Sequence, residues 1–253
     1  MYFSYEHLQL RYEPFPIGVA RPLMDESLYA EMLDNYPEIE LFESHAEYGK
    51  AGKKYALTEK LTPDVYSKFI RSNPVWRDFH QWVTRGSFIQ DTFAALKEAD
   101  VDLGYEFPSR GNRIRRRIQD FKNGHFCPGQ APLKARFEFS ALPANGGKVV
   151  PHTDATRKVI TLVVSMVRED EWNSDHGGGT DANRPKNPRL NYNYGNRHAT
   201  FEEMEVIDTY EFMPNQAVLF VKTFNSWHSV RPMTGMDSEA LRKTLTINIM
   251  KKY

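Results

Sequence analysis

Near residue 113 the spacing of apolar residues changes from the period of a helix to the period of a strand, and this change restricts the possible folds more than any other feature of the chain. Before it, "DESLYAEMLDNYP" carries candidate caps Asp25 and Ser27, apolar Leu28, Met32 and Leu33 at helical spacing, and Pro37 as a stop. Thr62 before Pro63 and Asn73 before Pro74 each predict a capped helix start with proline at the first position. After it, "RFEFSALP" (136–143), "KVITLVVSMV" (158–167), "QAVLFVKT" (216–223) and "RKTLTINIM" (242–250) are rich in β-branched and aromatic residues between turn-forming ones. The short loops between most of these strands leave no room for crossover helices, which predicts antiparallel pairing. The expected fold is α+β: a double-stranded β-helix, or jelly roll, with N-terminal helices packed on it. At 253 residues we expect a single domain, 1–110 a mainly helical support region and 111–253 the jelly-roll core.

Charge and cysteine content narrow the functional classes. Lys plus Arg and Asp plus Glu both number 33, so no electrostatic argument favours a nucleic-acid or membrane partner. The five arginines of "RGNRIRRRIQD" (110, 113, 115, 116 and 117) read as a solvated edge, because no aromatic residues interleave with them. Cys127 is the only cysteine, which excludes an intrachain disulfide and a cysteine zinc cluster. No run approaches the roughly 18 apolar residues of a membrane span, and "MYFSYEHLQLRYEPF" lacks the basic-then-apolar order of a secretory signal. A cytoplasmic location is expected; the oligomeric state is not legible.

The chemistry gathers around "VVPHTDATRKVITLVVSMV". His152 and Asp154 stand two apart, and in extended backbone that spacing points both side chains to one side. His228, in "FNSWHSVRPM", offers a third ligand after a strand. Two histidines and one carboxylate on one face of an ion make the facial triad of non-haem iron(II), whose other face stays open for an organic cosubstrate and dioxygen. The remaining histidines, 7, 45, 80, 125, 176 and 198, read as ordinary surface or core residues. On "LRKTLTINIM", strand parity puts Arg242, Thr244, Thr246 and Asn248 on one face, so an arginine fork and a hydroxyl project together, a pair suited to the far end of a dicarboxylate. Arg231 is a rival for that role, but parity relative to His228 and Val230 turns it away from the metal. Arg136 and Glu138 could line the cavity or form a structural ion pair.

His152-x-Asp154, His228 and Arg242, with "HSVRPM" and "RKTLTI", resemble the iron(II)- and 2-oxoglutarate-dependent dioxygenases, in particular their prolyl-4-hydroxylase-like branch. The resemblance covers about residues 135–250. It implies that His152, Asp154 and His228 hold Fe(II), that Arg242 binds the C5 carboxylate of 2-oxoglutarate with Thr244 as hydroxyl partner, and that O2 is the co-reactant. Many members have serine where Thr244 stands; threonine keeps the hydroxyl. Asp154 is present where halogenating relatives carry a small residue, which implies hydroxylation of a C–H bond, with succinate and CO2 formed. The implied substrate is an amino-acid, peptidyl or other small molecule. The alternatives are a non-catalytic jelly-roll metal- or ligand-binding protein and a nucleic-acid-directed oxygenase. The glycine- and asparagine-rich segment 168–205, with Tyr192 and Tyr194, is expected to be a mobile lid, and Trp227 to pack beside His228.

Overall fold

Helix starts follow the local signals with one exception. The structure, a computed structural model, describes residues 2–44, 54–85, 87–105, 107 and 132–252; Cys127, His45, His125 and the arginine run at 110–117 lie outside these. Helix α1 (Glu26–Asp34) is capped by the Asp25 side chain, which accepts from Ser27 N. Helices α2 (Pro63–Ser72) and α3 (Pro74–Thr84) begin at their prolines, and Asn73 caps α3 by accepting from Trp76 N. Thr62 does not cap α2: its hydroxyl donates to Thr58 O and accepts from Thr58 N, both at 3.0 Å, and closes the preceding turn instead. Helix α4 (Ser87–Glu98) completes the set.

The expected strands are present with shifted ends, and several were not foreseen. The first half contributes β1 (Gln9–Arg11), β2 (Ile17–Ala20), β3 (Glu43–Ser44) and β4 (Tyr55–Leu57), in addition to its helices. Then follow β5 (Leu133–Pro143), β6 (Val149–His152), β7 (Lys158–Ser165), β8 (Thr180–Pro185), β9 (Met204–Tyr210), β10 (Ala217–Val221), β11 (His228–Val230) and β12 (Leu241–Lys251). β5 starts three residues earlier than its alternation suggests because it pairs with β12 over the whole length of both, Leu241↔Pro143 to Lys251↔Leu133. A large sheet runs β1-β2-β10-β7-β12-β5-β4-β3 and a small one β6-β11-β8-β9, with every pairing antiparallel.

The two faces of the large sheet differ in chemistry. Phe137, Phe139, Ile160, Leu162, Val164, Leu245, Ile247 and Ile249 face the helices and pack with Met32, Trp76, Phe79 and Phe88. Trp76 meets Phe139 edge-on at 4.7 Å between ring centroids. Each such side chain contributes about 1.5–3 kcal/mol on burial, which anchors the helical layer. The other face looks toward the small sheet. There Ala182 of β8 packs with Phe15, Ile17, Val218 and Phe220, but along β12 the same face presents Arg242, Thr244, Thr246 and Asn248, and Arg242, Thr244 and Asn248 are buried. An apolar core does not tolerate such a row, so the space between the sheets there is a polar site.

The lid expected over 168–205 is corrected by β8. Residues 180–185 lie between β11 and β9, and Thr180, Asp181, Ala182 and Asn183 are buried. Their backbone groups complete the small sheet, so the segment as a whole cannot swing away without dismantling it. Polar side chains on the outer face of β8 concealed the strand: Asp181 and Asn183 are satisfied by Ser229 and Thr209 hydroxyls and by Arg231.

Candidate metal centre

His152 ends β6, His228 begins β11, and the ladder pairs them directly, with ring centroids 4.3 Å apart. Asp154 joins them differently from the way its spacing suggests. The strand stops at His152, and Asp154 has φ +69°, a left-handed conformation that aspartate tolerates better than most residues. A turn, not strand parity, brings the carboxylate round, so that Asp154 Oδ1 lies 3.5 Å from His152 Nε2 and Oδ2 lies 4.0 Å from His228 Nε2. The three residues each offer a ligand atom within 4.8 Å of the others, and no further such group of histidine, cysteine or acidic residues occurs among the described residues.

The protonation of these groups suits a cation. His152 Nδ1 lies 3.0 Å from Val150 O and His228 Nδ1 2.9 Å from Ser226 O. A carbonyl accepts only from N–H, so both rings carry their proton on Nδ1 and turn the Nε2 lone pair inward. Burial pushes His228 down to about 3, and it is neutral near pH 7. Burial alone would raise Asp154, but the charge of Lys158 opposes it, and the carboxyl is held well below its ordinary range.

Both oxygens of Asp154 are held. Lys158 Nζ donates to Oδ1 at 2.7 Å and Thr161 Oγ1 donates to Oδ2 at 3.0 Å. Thr161 Oγ1 also lies 3.2 Å from the Asn248 side-chain amide. One hydroxyl hydrogen serves one acceptor, so the chain is satisfied when the Asn248 amide is turned to donate to Thr161. The supporting roles of Lys158, Thr161 and Asn248 were not foreseen from the sequence; their signal was the polar row on β12 and its register partner Thr161 on β7. Phe220 covers the His228 ring at 4.3 Å. His198, expected to be an ordinary histidine, stacks on His152 at 5.6 Å with planes 7° apart. Trp227 is buried, donates Nε1–H to Leu190 O, and packs with Ala199 and Met204 to fix the turn before His228.

Arg242 lies in the same inter-sheet face. It is 5% exposed, its Nε donates to Gly178 O, and its guanidinium carbon sits 4.4 Å above the Phe212 ring. Among the described residues no carboxylate comes within ion-pair distance of it, and burial pulls its pKa down to about 10. Thr244 is on the same face, its hydroxyl 2.8 Å from Ser140 Oγ. Arg231 lies on the outer face, mostly exposed, bonded to Asp181 and Thr209. Arg136 and Glu138 stand opposite Asn248 and Thr246 on the inner face of β5; they do not pair with each other, and Glu138 is 3.8 Å from Lys54. His80 packs near Phe137 on the helical side and His176 near Trp172, neither in the triad.

No protein-family model and no curated protein sequence matches the chain. Among solved structures it is similar to a Pseudomonas putida prolyl-4-hydroxylase (12% identity, 93% of this chain and 92% of that one, TM-score 0.47). It is also similar to a Trichoplax adhaerens prolyl hydroxylase solved with a hypoxia-inducible-factor peptide fragment (11%, 93% and 83%, TM-score 0.49). A third similar structure is SnoN, a non-haem α-ketoglutarate-dependent epimerase of nogalamycin biosynthesis (12%, 93% and 78%, TM-score 0.48). At these scores the likeness decides nothing about chemistry, and the function rests on the side chains between the two sheets.

Proposed function

We propose that the chain is an iron(II)- and 2-oxoglutarate-dependent oxygenase that hydroxylates a C–H bond of an amino-acid, peptidyl or other small-molecule substrate. The observation that carries this reading is the pairing, on one inter-sheet face, of a His152–Asp154–His228 ligand cluster with a buried arginine that has no counter-charge among the described residues. The donor set fits the metal: two imidazoles that turn Nε2 inward and one ionised carboxylate suit a divalent first-row ion and leave part of its coordination sphere for other ligands. The cosubstrate fits too, because a buried guanidinium without a carboxylate is stabilised by one brought in with a ligand. The arrangement of two antiparallel sheets around this face supports a double-stranded β-helix as the underlying architecture.

Iron, once bound, supplies the coupling of dioxygen reduction to decarboxylation of the cosubstrate. The chain's residues supply position. Val150 O and Ser226 O fix the two rings, while Lys158 and Thr161 hold Asp154 so that its carboxylate meets the ion without reorganising. Phe220 and neighbouring apolar residues keep water from the His228 side. Arg242, with Thr244 beside it, is the seat for the distal carboxylate, and Arg136 and Glu138 are placed to meet a substrate arriving along β5.

The test is anaerobic titration of iron(II)-loaded protein with 2-oxoglutarate. A visible metal-to-ligand charge-transfer band should grow in with one iron per chain and be lost in His152→Ala, Asp154→Ala and His228→Ala. Failure of the folded wild-type protein to give the band at saturating ligand refutes the reading.

A further inference from the structure

Trp172 is the one side chain among the described residues with a fully buried polar atom that has no hydrogen-bond partner, its indole Nε1. The residue is 8% exposed. An N–H shut away from water with no acceptor costs about 1–3 kcal/mol and is uncommon in a native interior. No acceptor of the described residues lies within hydrogen-bond reach of it. Phe212 meets it edge-on at 5.3 Å, His176 edge-on at 5.7 Å, and it shares an apolar cluster with Leu142, Ala144, Val167 and Met233.

The orphan donor borders the orphan cation. Arg242 stacks on Phe212, the ring that Trp172 also contacts, and bonds the carbonyl of Gly178. A Cβ placed on Gly178 would come within 2.9 Å of Trp172 Cζ2 and 3.2 Å of Arg242 Cδ, so this glycine lies against both. Cζ2 flanks the edge of the indole that carries Nε1. A buried N–H without an acceptor and a buried cation without a carboxylate partner among the described residues therefore share one wall of the inter-sheet space. The deficit common to them is an acceptor with negative charge.

We propose that Trp172 is a second donor to the distal carboxylate of 2-oxoglutarate, its Nε1–H taking one carboxylate oxygen while Arg242 takes the charge. This rests on the cosubstrate assignment made above. It adds a specificity element, because an indole donor in an apolar wall rewards a 2-oxo acid that has a second carboxylate and gives nothing to one that lacks it. Thr244, already engaged with Ser140 Oγ, is then not the main neutral partner.

The experiment compares Trp172→Phe with wild type in anaerobic charge-transfer titrations, using 2-oxoglutarate and pyruvate as the two probes. Both carry the 2-oxo acid that meets the metal; only the first carries the distal carboxylate. Trp172→Phe should weaken 2-oxoglutarate about tenfold and leave pyruvate unchanged. It should also raise the melting temperature of the protein without ligand, because the unsatisfied N–H is gone. A packing role predicts the reverse pattern: a lower melting temperature and equal effects on both probes. Equal affinity for 2-oxoglutarate in the variant and the wild type, or equal weakening of both probes, overturns the assignment. Should wild type give no band with either probe, the cosubstrate reading itself fails, and the two failures are separable.

Discussion

Replacing Arg242 by methionine should separate ligand binding from stability, which few buried-charge deletions do. Burial that pulls the guanidinium down to about 10 from its ordinary, higher value corresponds to about 3 kcal/mol of cost. At 5% exposure, solvent screening does little to reduce that figure. The folded-state value lies below the unfolded one, so stability rises only as pH climbs above about 10, and near pH 7 the full cost is present. Against it stand the hydrogen bond to Gly178 O, about 1.5–3 kcal/mol for a charged donor, and the Phe212 contact, about 0.5–2 kcal/mol. The terms nearly cancel. Arg242→Met, similar in length and apolar, should therefore leave the ligand-free protein within about 1 kcal/mol of wild type in urea unfolding. Loss of a buried partner for the carboxylate costs about 2–5 kcal/mol, so 2-oxoglutarate should bind at least tenfold more weakly. Arg231→Ala, on the outer face, is the control for binding and should leave 2-oxoglutarate affinity unchanged, while it lowers stability because it strips buried Asp181 of its ion-pair partner. An Arg242→Met variant that loses several kcal/mol of stability yet binds 2-oxoglutarate like wild type would show that Arg242 is a structural residue, and the reasoning would be wrong.

Two further outcomes follow from the same wall and from the ligand cluster. Gly178 has φ +80° and no room for a methyl group, so Gly178→Ala should lower the melting temperature and weaken 2-oxoglutarate together; a fully active variant with unchanged melting would contradict the close packing of Trp172, Gly178 and Arg242. In the metal-free protein the unfolded chain protonates His228 near 6.5 while the folded chain refuses that proton until about 3, so stability should fall as pH drops through this window. Between pH 6.5 and 4.5 the loss from this one group is about 2–3 kcal/mol, measured by urea unfolding, and His228→Gln should flatten the slope; an unchanged slope in the variant would place the acid lability elsewhere.

The parts of this protein legible from one dimension are those with a local cause. Proline and asparagine at helix starts act within one turn, and Asn73 and Pro74 do so here. Alternation along 242–250 arises from the pleat, so the face shared by Arg242, Thr244 and Asn248 could be read before any partner strand was known. Thr62 shows the limit of such reading: a residue with the right chemistry for a cap spent its hydroxyl on Thr58 because the preceding turn competed for it.

Matters in which distant segments meet became fixed only in three dimensions. Strand β8 carries no apolar alternation, since Asp181 and Asn183 are buried against Ser229, Thr209 and Arg231, and their burial becomes visible only when β11 and β9 flank them. Asp154 reaches the histidines through a left-handed turn that its spacing did not announce. Lys158 and Thr161 become supports of the carboxylate, and Trp172 an orphan donor beside Arg242, because of contacts that chain order does not encode. Which side chains have metal-binding and anion-binding chemistry, and how they alternate, follows from residue type and backbone period and is legible along the chain. Their convergence on one polar face, with no acceptor for Trp172 and no carboxylate for Arg242 among the described residues, came from the packing of two sheets, which sets the distances on which coordination and desolvation depend.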